Sequence, residues 1–224
     1  MTFSRVLTRA YGAERFFFNA IFLFLLSYVF YFTITPAHAE IRILALGDSL
    51  TAGYGLPDQE SFTFQLEKKI NETAETPVKI INGGVSGDTT AGGLSRVDWL
   101  LAENPQVAIV TLGGNDGLKG LSPDQSYKNL ETIVTKLKDN NIPVLLSGML
   151  APPNLGADFS KEFNNNYPKL AEKHDLLFFP FFLEDVAGNL ALNQADGIHP
   201  NAKGVEVIVK NITPYVEKLL SKVK

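Results

Sequence analysis

The sequence predicts a three-layer α/β/α sandwich built on a five-stranded parallel sheet, and three observations support this prediction. Short aliphatic runs recur along the chain, each bounded by turn residues or charges, which is typical of buried strands. Stretches with apolar residues at helical spacing lie between these runs. Strand and helix therefore alternate. Because parallel neighbours need a crossover, this alternation indicates helices on both faces of one sheet.

The predicted elements follow one another in a regular order. Strands are expected at 41–46, 78–81, 107–112, 144–147 and 176–179. Helices are expected around the apolar positions within 62–70, 94–101, 130–137, 167–170 and 205–220. In such sheets functional groups collect at the carboxyl ends of the strands, near the topological switch point. The loops after the first three strands are therefore the place to look for a site.

The first 39 residues are expected to be a secretory signal. Three arginines precede an apolar stretch at 16–32, and a small-x-small triplet ending at Ala39 offers a cleavage site. Cleavage there would leave 40–224 as a single domain, exported to the periplasm or the medium. The apolar stretch approaches the length that crosses a bilayer as a helix, so an uncleaved membrane anchor stays open as an alternative.

Composition excludes several classes of function. The net charge of −4 argues against a nucleic-acid partner. The absence of cysteine excludes disulfides, thiol catalysis and zinc–thiolate sites. His38 belongs to the leader, which leaves His174 and His199, too few for a histidine-rich metal centre, and no cofactor is expected. His174 lies beside charged residues near a predicted helix end and is expected to be a plain surface residue. His199 is the better candidate base.

Two distant segments carry the groups of a nucleophilic serine. Gly47-Asp48-Ser49 ends the first strand, and a serine hydroxyl becomes nucleophilic when a base takes its proton and the oxyanion is stabilised. Taken alone, this triplet is more often a turn in which Asp48 or Ser49 caps the next helix. Asp196 lies three residues before His199, so one turn can aim the carboxylate at Nδ1 and leave Nε2 free. The alternative is a surface histidine beside a capping turn.

The loops after the second and third strands carry candidate oxyanion donors. Gly87 lies in a glycine-rich segment where the backbone can approach a ligand closely and present an open N–H. Asn115 offers a carboxamide donor without a charge that must be desolvated. Both residues are also common turn formers, and that simpler interpretation stays open for each loop on its own.

Together these loops resemble the GDSL/SGNH hydrolase family over essentially all of 40–224. The resemblance rests on Gly47-Asp48-Ser49-Leu50, Ser86-Gly87-Asp88, Gly114-Asn115-Asp116 and Asp196-Gly197-Ile198-His199-Pro200. The additional segments Gly53-Tyr54-Gly55 and 113–118 look like the bacterial periplasmic branch of multifunctional thioesterase, lysophospholipase and arylesterase enzymes. This resemblance implies a flavodoxin-like sheet.

The resemblance also implies roles for individual residues. Ser49 is the expected nucleophile, His199 the general base, and Asp196 its orienting partner. The N–H groups of Ser49 and Gly87 and the side chain of Asn115 are the expected oxyanion donors. The implied activity is hydrolysis of carboxylic esters or thioesters through an acyl-enzyme. The implied substrates are small acyl esters, thioesters or lysophospholipids, with transient contact to membrane lipid, and neither metal nor cofactor is required.

Substrate choice is expected to depend on the loop at 150–159. Apolar residues after the third and fourth strands suggest an acyl groove lined by Leu118, Met149, Leu150 and Pro152, with Leu121, Pro153 and Leu155 as further candidates. Two alternatives stay open. One is a carbohydrate O-acetyl esterase that uses the same catalytic groups, and the other is a non-catalytic exported ligand-binding module. The sequence leaves the oligomeric state open.

Overall fold

The structure is a computed structural model that describes residues 40–223. The expected secretory signal at 1–39, with its cleavage site and the alternative of a membrane anchor, lies outside the described residues. Among the helices of the described part, none is both long enough and apolar enough to cross a membrane.

Five parallel strands form one sheet in the order β2-β1-β3-β4-β5. The strands are β1 (Ile41–Gly47), β2 (Val78–Gly84), β3 (Val107–Thr111), β4 (Val144–Ser147) and β5 (Leu177–Phe179). From β1 the chain first adds β2 on one side and then crosses to add β3 on the other side. The boundary between β1 and β3 is therefore the switch point. The predicted five-stranded, flavodoxin-like parallel sheet is thereby confirmed.

Helices cover both faces of the sheet. They are α1 (Ser49–Ala52), α2 (Phe62–Asn71), α3 (Thr90–Leu101), α4 (Gly114–Leu118), α5 (Pro123–Asp139), α6 (Ala157–His174) and α7 (Ala202–Leu220). Helices α2 and α7 pack together on one face, while α5 packs between α3 and α6 on the other. The short helices α1 and α4 were not expected from the sequence. They begin directly at the carboxyl ends of β1 and β3, where the candidate residues lie.

The two central strands are almost completely buried. All five residues of β3 and the last five of β1 are buried. This explains why both strands read as continuous hydrophobic runs, since each is covered by helices on two faces. Polar side chains cap the start of four of the five longer helices, α6 being the exception. The caps are Ser61, Thr89, Ser122 and Asn201, and each accepts a hydrogen bond from an N–H three residues further on.

Two glycines allow the strand ends and α1 to meet. Gly47 lies opposite Gly84 in β2 and Thr111 in β3. A Cβ at Gly47 would collide with the side chain of Thr51, and a Cβ at Gly84 would collide with the backbone of Ala52. Both are close-approach positions, and they bring the first turn of α1 directly onto the edge of the sheet.

Candidate active site

Ser49, His199 and Asp196 form a continuous chain of hydrogen bonds at the carboxyl edge of the sheet. The Oγ atom of Ser49 lies 2.9 Å from Nε2 of His199. The Nδ1 atom of the same ring lies 2.6 Å from Oδ2 of Asp196. Because an ionised carboxylate can only accept, Nδ1 carries the proton that bonds Asp196, and Nε2 is left to accept from the serine hydroxyl. The structure thus brings together three residues from opposite ends of the domain.

The turn between Asp196 and His199 fixes the carboxylate. Oδ1 of Asp196 accepts hydrogen bonds from the backbone N–H groups of Ile198, at 2.9 Å, and His199, at 3.0 Å. The N–H of His199, its ring and the N–H of Ile198, in that order, lower the pKa of Asp196 to about 2. Gly197 supplies the left-handed backbone that this turn needs, with φ of 71°. Asp196 is therefore ionised throughout the neutral pH range.

The loop after α1 holds the imidazole from the other side. The ring of Tyr54 lies 4.6 Å from that of His199, centroid to centroid. The side-chain amide of Gln194 donates to the carbonyls of Tyr54, at 2.8 Å, and Pro200, at 3.0 Å. The segments that follow Ser49 and that carry His199 are thus bonded to each other. The sequence marked Tyr54 only as part of a motif, and nothing in its pattern revealed this contact.

Three expected oxyanion donors come from three neighbouring strand ends. Gly87 has φ of 84°, and a Cβ there would meet no atom within 4 Å. Within residues 40–223, the N–H groups of Ser49 and Gly87 have no hydrogen-bond acceptor. The Nδ2 group of Asn115 donates to the carbonyl of Asp88, at 2.9 Å, and to Oδ2 of Asp48, at 3.3 Å. Asn115 therefore connects the end of β1 with the loop that carries Gly87.

Arg96 in α3 clamps the same two loops. Its Nε donates to Oδ2 of Asp88 at 2.8 Å, and Nη2 lies 2.7 Å from the same oxygen. Nη1 donates to the carbonyl of Gly83 at 3.0 Å, and Nη2 to that of Gly47 at 3.3 Å. One guanidinium thus ties the ends of β1 and β2 to the residue after Gly87. Sequence reasoning missed this residue because a helical arginine carries no signal of its distant partners.

Asp116 fastens α3, α4 and α5 together beneath the site. Its carboxylate is buried and accepts three hydrogen bonds, from the backbone N–H of Thr90 at 2.8 Å, from the Thr90 hydroxyl at 2.6 Å and from the Ser126 hydroxyl at 2.8 Å. From the sequence, Asp116 was only a turn residue beside Asn115. The structure makes it the anchor of the short helix on which Asn115 lies.

Asp48 is a buried carboxyl group within the site. Its Oδ1 accepts from the N–H of Leu50 at 3.0 Å, so the capping role considered for this turn is real and coexists with the placement of Ser49. Burial raises the pKa of Asp48 to about 6, against the smaller lowering effects of the Leu50 N–H, His199 and Asn115. One pH unit corresponds to about 1.4 kcal/mol, so keeping this carboxylate ionised at neutral pH costs the folded protein about 3 kcal/mol.

A cavity of about 530 Å³ opens beside Ser49, Asn115 and His199. The predicted lining residues Leu118, Met149, Leu150 and Pro152 all border it, as does Pro153. Leu121 and Leu155 do not. The cavity is also lined by residues that the sequence did not suggest: Phe181, Leu183, Ala187, Gly188 and Ile198. Most of them follow β5 in an irregular segment, where no periodic pattern indicates which side chains face a cavity.

His174 is not the plain surface residue that was expected. Its Nε2 lies 3.2 Å from Oε1 of Glu131, and the ring is largely buried between α5 and α6. Lys173 bonds the same carboxylate at 2.6 Å. His174 thus joins two helices away from Ser49. Among residues 40–223 there is no cluster of three or more histidine, aspartate or glutamate side chains arranged to hold a metal ion.

Ser49, His199 and Asp196 are hydrogen-bonded in this order near the switch point of the parallel sheet. This arrangement of serine, imidazole and carboxylate is the one found in serine hydrolases. The model of the GDSL-like Lipase/Acylhydrolase family matches residues 45–207. The chain belongs to this family and is an ester hydrolase, which confirms the family resemblance seen in the sequence.

Proteins similar to this chain carry hydrolase names. The chain is 37% identical to an arylesterase of Vibrio mimicus over 198 residues, covering 88% of this chain and 98% of that protein. It is 37% identical to thioesterase 1/protease 1/lysophospholipase L1 of Escherichia coli K12 over 206 residues, covering 91% and 97%. It is 36% identical to the esterase TesA of Pseudomonas aeruginosa over 188 residues, covering 84% and 93%.

Solved structures agree with the fold. The crystal structure of AlinE4, described as a SGNH-hydrolase family esterase, is 49% identical with a TM-score of 0.68, covering 81% of this chain and 97% of that one. The crystal structure of TesA is 36% identical with a TM-score of 0.76, covering 80% and 99%.

The clamp formed by Arg96 predicts an unequal effect of two charge-removing substitutions. Arg96→Met leaves the half-buried carboxylate of Asp88 and two carbonyls without their donor, which should lower the unfolding free energy by about 1–3 kcal/mol. Lys136→Met removes a cation from an exposed pair with Asp98 and should cost less than about 1 kcal/mol. Urea unfolding measures both values, and equal losses would contradict the clamp.

The burial of Asp48 predicts that its charge destabilises the protein. The raised pKa means that the folded state binds this proton more tightly than the unfolded chain, so the contribution to stability is greatest below about pH 4 and is lost as the pH rises through about 6. The isosteric change Asp48→Asn should therefore raise the unfolding free energy at pH 7, by up to about 3 kcal/mol.

Urea unfolding at pH 4, 5, 6 and 7 measures the unfolding free energy of each variant and tests this expectation. The gain from Asp48→Asn should grow with pH across this series. Glu75→Gln, at an exposed loop position, is the control and should stay within about 0.5 kcal/mol of the parent at every pH. A variant of Asp48 that is less stable than the parent at pH 7 would show that the carboxylate is a net stabiliser.

Proposed function

We propose that the protein hydrolyses acyl esters and thioesters through Ser49, His199 and Asp196, with an acyl-enzyme intermediate. The observation that carries this proposal is the unbroken hydrogen-bond chain from the serine hydroxyl through the imidazole to the carboxylate. Such a chain supplies the base that a serine needs and fixes the tautomer of that base.

Each proton in the cycle has a defined route. Nε2 of His199 takes the proton of Ser49 as Oγ attacks the acyl carbonyl, and the imidazolium that forms is stabilised by the ionised Asp196. Collapse of the tetrahedral intermediate breaks the bond to the alcohol or thiol, which leaves with the proton from Nε2. Water then attacks the acyl-enzyme while Nε2 of His199 takes its proton. The bond between the acyl group and Oγ breaks, Nε2 returns the proton to Ser49, and the acid is released.

The oxyanion would rest among three uncharged donors. The N–H groups of Ser49 and Gly87 are free of internal acceptors within residues 40–223, which supports their availability to a ligand. The carboxamide of Asn115 lies at the same junction, between the residues that neighbour the other two donors. Preorganised donors of this kind stabilise the charge that develops during acyl transfer.

The apolar cavity favours acyl groups longer than acetyl. Leu118, Leu150 and Ile198 line it and remain about half exposed, at 51%, 49% and 47%. Each methylene removed from water contributes about 0.8 kcal/mol, so a chain that covers these side chains adds affinity as it lengthens. The names of the relatives, arylesterase and thioesterase 1/protease 1/lysophospholipase L1, fit this substrate class. The proposed substrates include lysophospholipids, and the proposed enzyme makes transient contact with membrane lipid.

Export to the periplasm or the medium is part of the same proposal. It rests on the arginines, apolar stretch and small-x-small triplet of residues 1–39. A lipid-directed hydrolase without cysteine is suited to an oxidising compartment, since it has no thiol that could be oxidised.

Substitution of the proposed nucleophile and oxyanion donor tests the mechanism. Ser49→Ala should abolish esterase activity and labelling by a fluorophosphonate probe. Asn115→Ala should lower kcat by about 10²- to 10³-fold while the protein folds normally, because it removes one oxyanion donor. Asn165→Ala, at an exposed position on α6, is the matched control and should leave kcat unchanged. Full activity of Ser49→Ala would refute the mechanism, whereas failure of the probe to label Ser49 in the parent protein would revive the non-catalytic alternative.

A series of p-nitrophenyl esters tests the substrate class. The ratio kcat/KM should rise from acetate to octanoate, and Leu150→Ser should lower it about fivefold to tenfold for octanoate with little change for acetate, since less apolar surface is then buried. Leu190→Ser is the control, because Leu190 is 84% exposed and does not line the cavity. Strict preference for acetate would instead favour the O-acetyl esterase alternative.

A further inference from the structure

The carboxamide of Asn115 has two faces with opposite chemistry. Its NH₂ group can donate to an oxyanion, whereas its carbonyl oxygen would repel one. The two groups have nearly the same size and shape, so packing alone does not decide which of them faces the reacting acyl group. Something in the site must hold the amide in the donating orientation.

Two neighbours of this amide can only accept. Nδ2 of Asn115 bonds the backbone carbonyl of Asp88, at 2.9 Å, and the carboxylate of Asp48, at 3.3 Å. A flipped amide would lose both hydrogen bonds and would place its oxygen against two other oxygens. Asp48 directly precedes Ser49, and Asp88 directly follows Gly87. The NH₂ group is therefore held at the junction of the two loops that carry the other proposed donors.

The capping of α1 does not account for a charged residue at position 48. Asparagine and serine cap helices about as well as aspartate, so the hydrogen bond from Leu50 requires no ionised group. Among residues 40–223, no lysine or arginine forms an ion pair with Asp48. The titratable groups near it are His199 and the hydroxyl of Tyr167. The contact with Asn115, in contrast, needs a group that can only accept a hydrogen bond, and an ionised carboxylate is such a group.

We propose that Asp48 is a positioning residue of the esterase reaction: its carboxylate keeps one hydrogen of the Asn115 amide and so holds the amide in the donating orientation. The second hydrogen, which the carbonyl of Asp88 accepts in the free enzyme, then passes to the oxyanion. This inference rests on the proposed function, because it assumes that Asn115 is an oxyanion donor. Asp48 acts through Asn115 and does not itself touch the reacting atoms. The role explains why a carboxylate is placed where burial opposes its charge.

The isosteric variant Asp48→Asn tests this role directly. Its Oδ1 can still accept from the N–H of Leu50, which turns its own NH₂ group toward Asn115 and favours the flipped amide. For p-nitrophenyl butyrate, kcat should fall at least about tenfold, and at most by the 10²- to 10³-fold effect of losing the donor. KM should change less than about twofold, since Asp48 borders the cavity and the substitution keeps the size and shape of its side chain.

A double-mutant cycle separates this role from an effect on His199. If Asp48 acts through Asn115, adding Asp48→Asn to Asn115→Ala should change kcat less than about threefold, because the amide to be oriented is gone. If the carboxylate instead stabilises the imidazolium of His199 or only the local fold, the substitution should cost the same factor in both backgrounds. Additive losses, or an unchanged kcat in Asp48→Asn, would overturn the proposal.

Two further measurements distinguish misfolding, and failure of the proposed function, from failure of the orientation role. Unfolding curves of each variant show whether the protein folds. If Asp48→Asn does not fold, Asp48→Ser replaces it in the same cycle, since serine keeps a capping oxygen but lacks the carboxylate. Failure of the proposed function would appear differently, as wild-type kcat in Asn115→Ala and no fluorophosphonate labelling of Ser49. Failure of the orientation role alone leaves both of those results intact.

Discussion

The convergence of three parallel strand ends is the constraint on which the site depends. β1 lies between β2 and β3, and Gly47 has Gly84 on one side and Thr111 on the other. Any side chain at either glycine would push α1 away from the sheet. Because the backbones approach so closely, the carboxamide of Asn115 reaches both Asp48 and Asp88. The guanidinium of Arg96 likewise reaches the carbonyls at the ends of β1 and β2.

The sheet and its principal residues could be predicted because their signals are local. A strand buried on two faces must be a continuous apolar run, and Gly47-Asp48-Ser49 must follow such a run to present a hydroxyl at its end. The spacing of Asp196 and His199 likewise fits within one turn. These features appear in the order of the residues themselves, without knowledge of what lies across the fold.

The contacts between loops could not be predicted because their partners are far apart in sequence. Nothing near Arg96 indicates that it bonds the carbonyl of Gly47, and nothing near Asp48 indicates Asn115. Helix α4 is too short for periodicity to reveal it. His174 appeared to be a surface residue because its flanking charges are solvated, whereas the partner that buries it, Glu131, belongs to another helix.

The distance along the chain between Ser49 and His199 has a consequence for the order of events during synthesis. The serine lies at the start of the domain, and its imidazole partner comes just before the last helix, α7. The amide of Gln194 bonds the carbonyl of Tyr54, so the two ends meet only through a long-range closure. This closure costs chain entropy, and it needs residues 194–199, which are synthesised after all five strands of the sheet. A partly made chain therefore holds a chemically ordinary serine, and hydrolytic competence arises only in a molecule whose folding is complete.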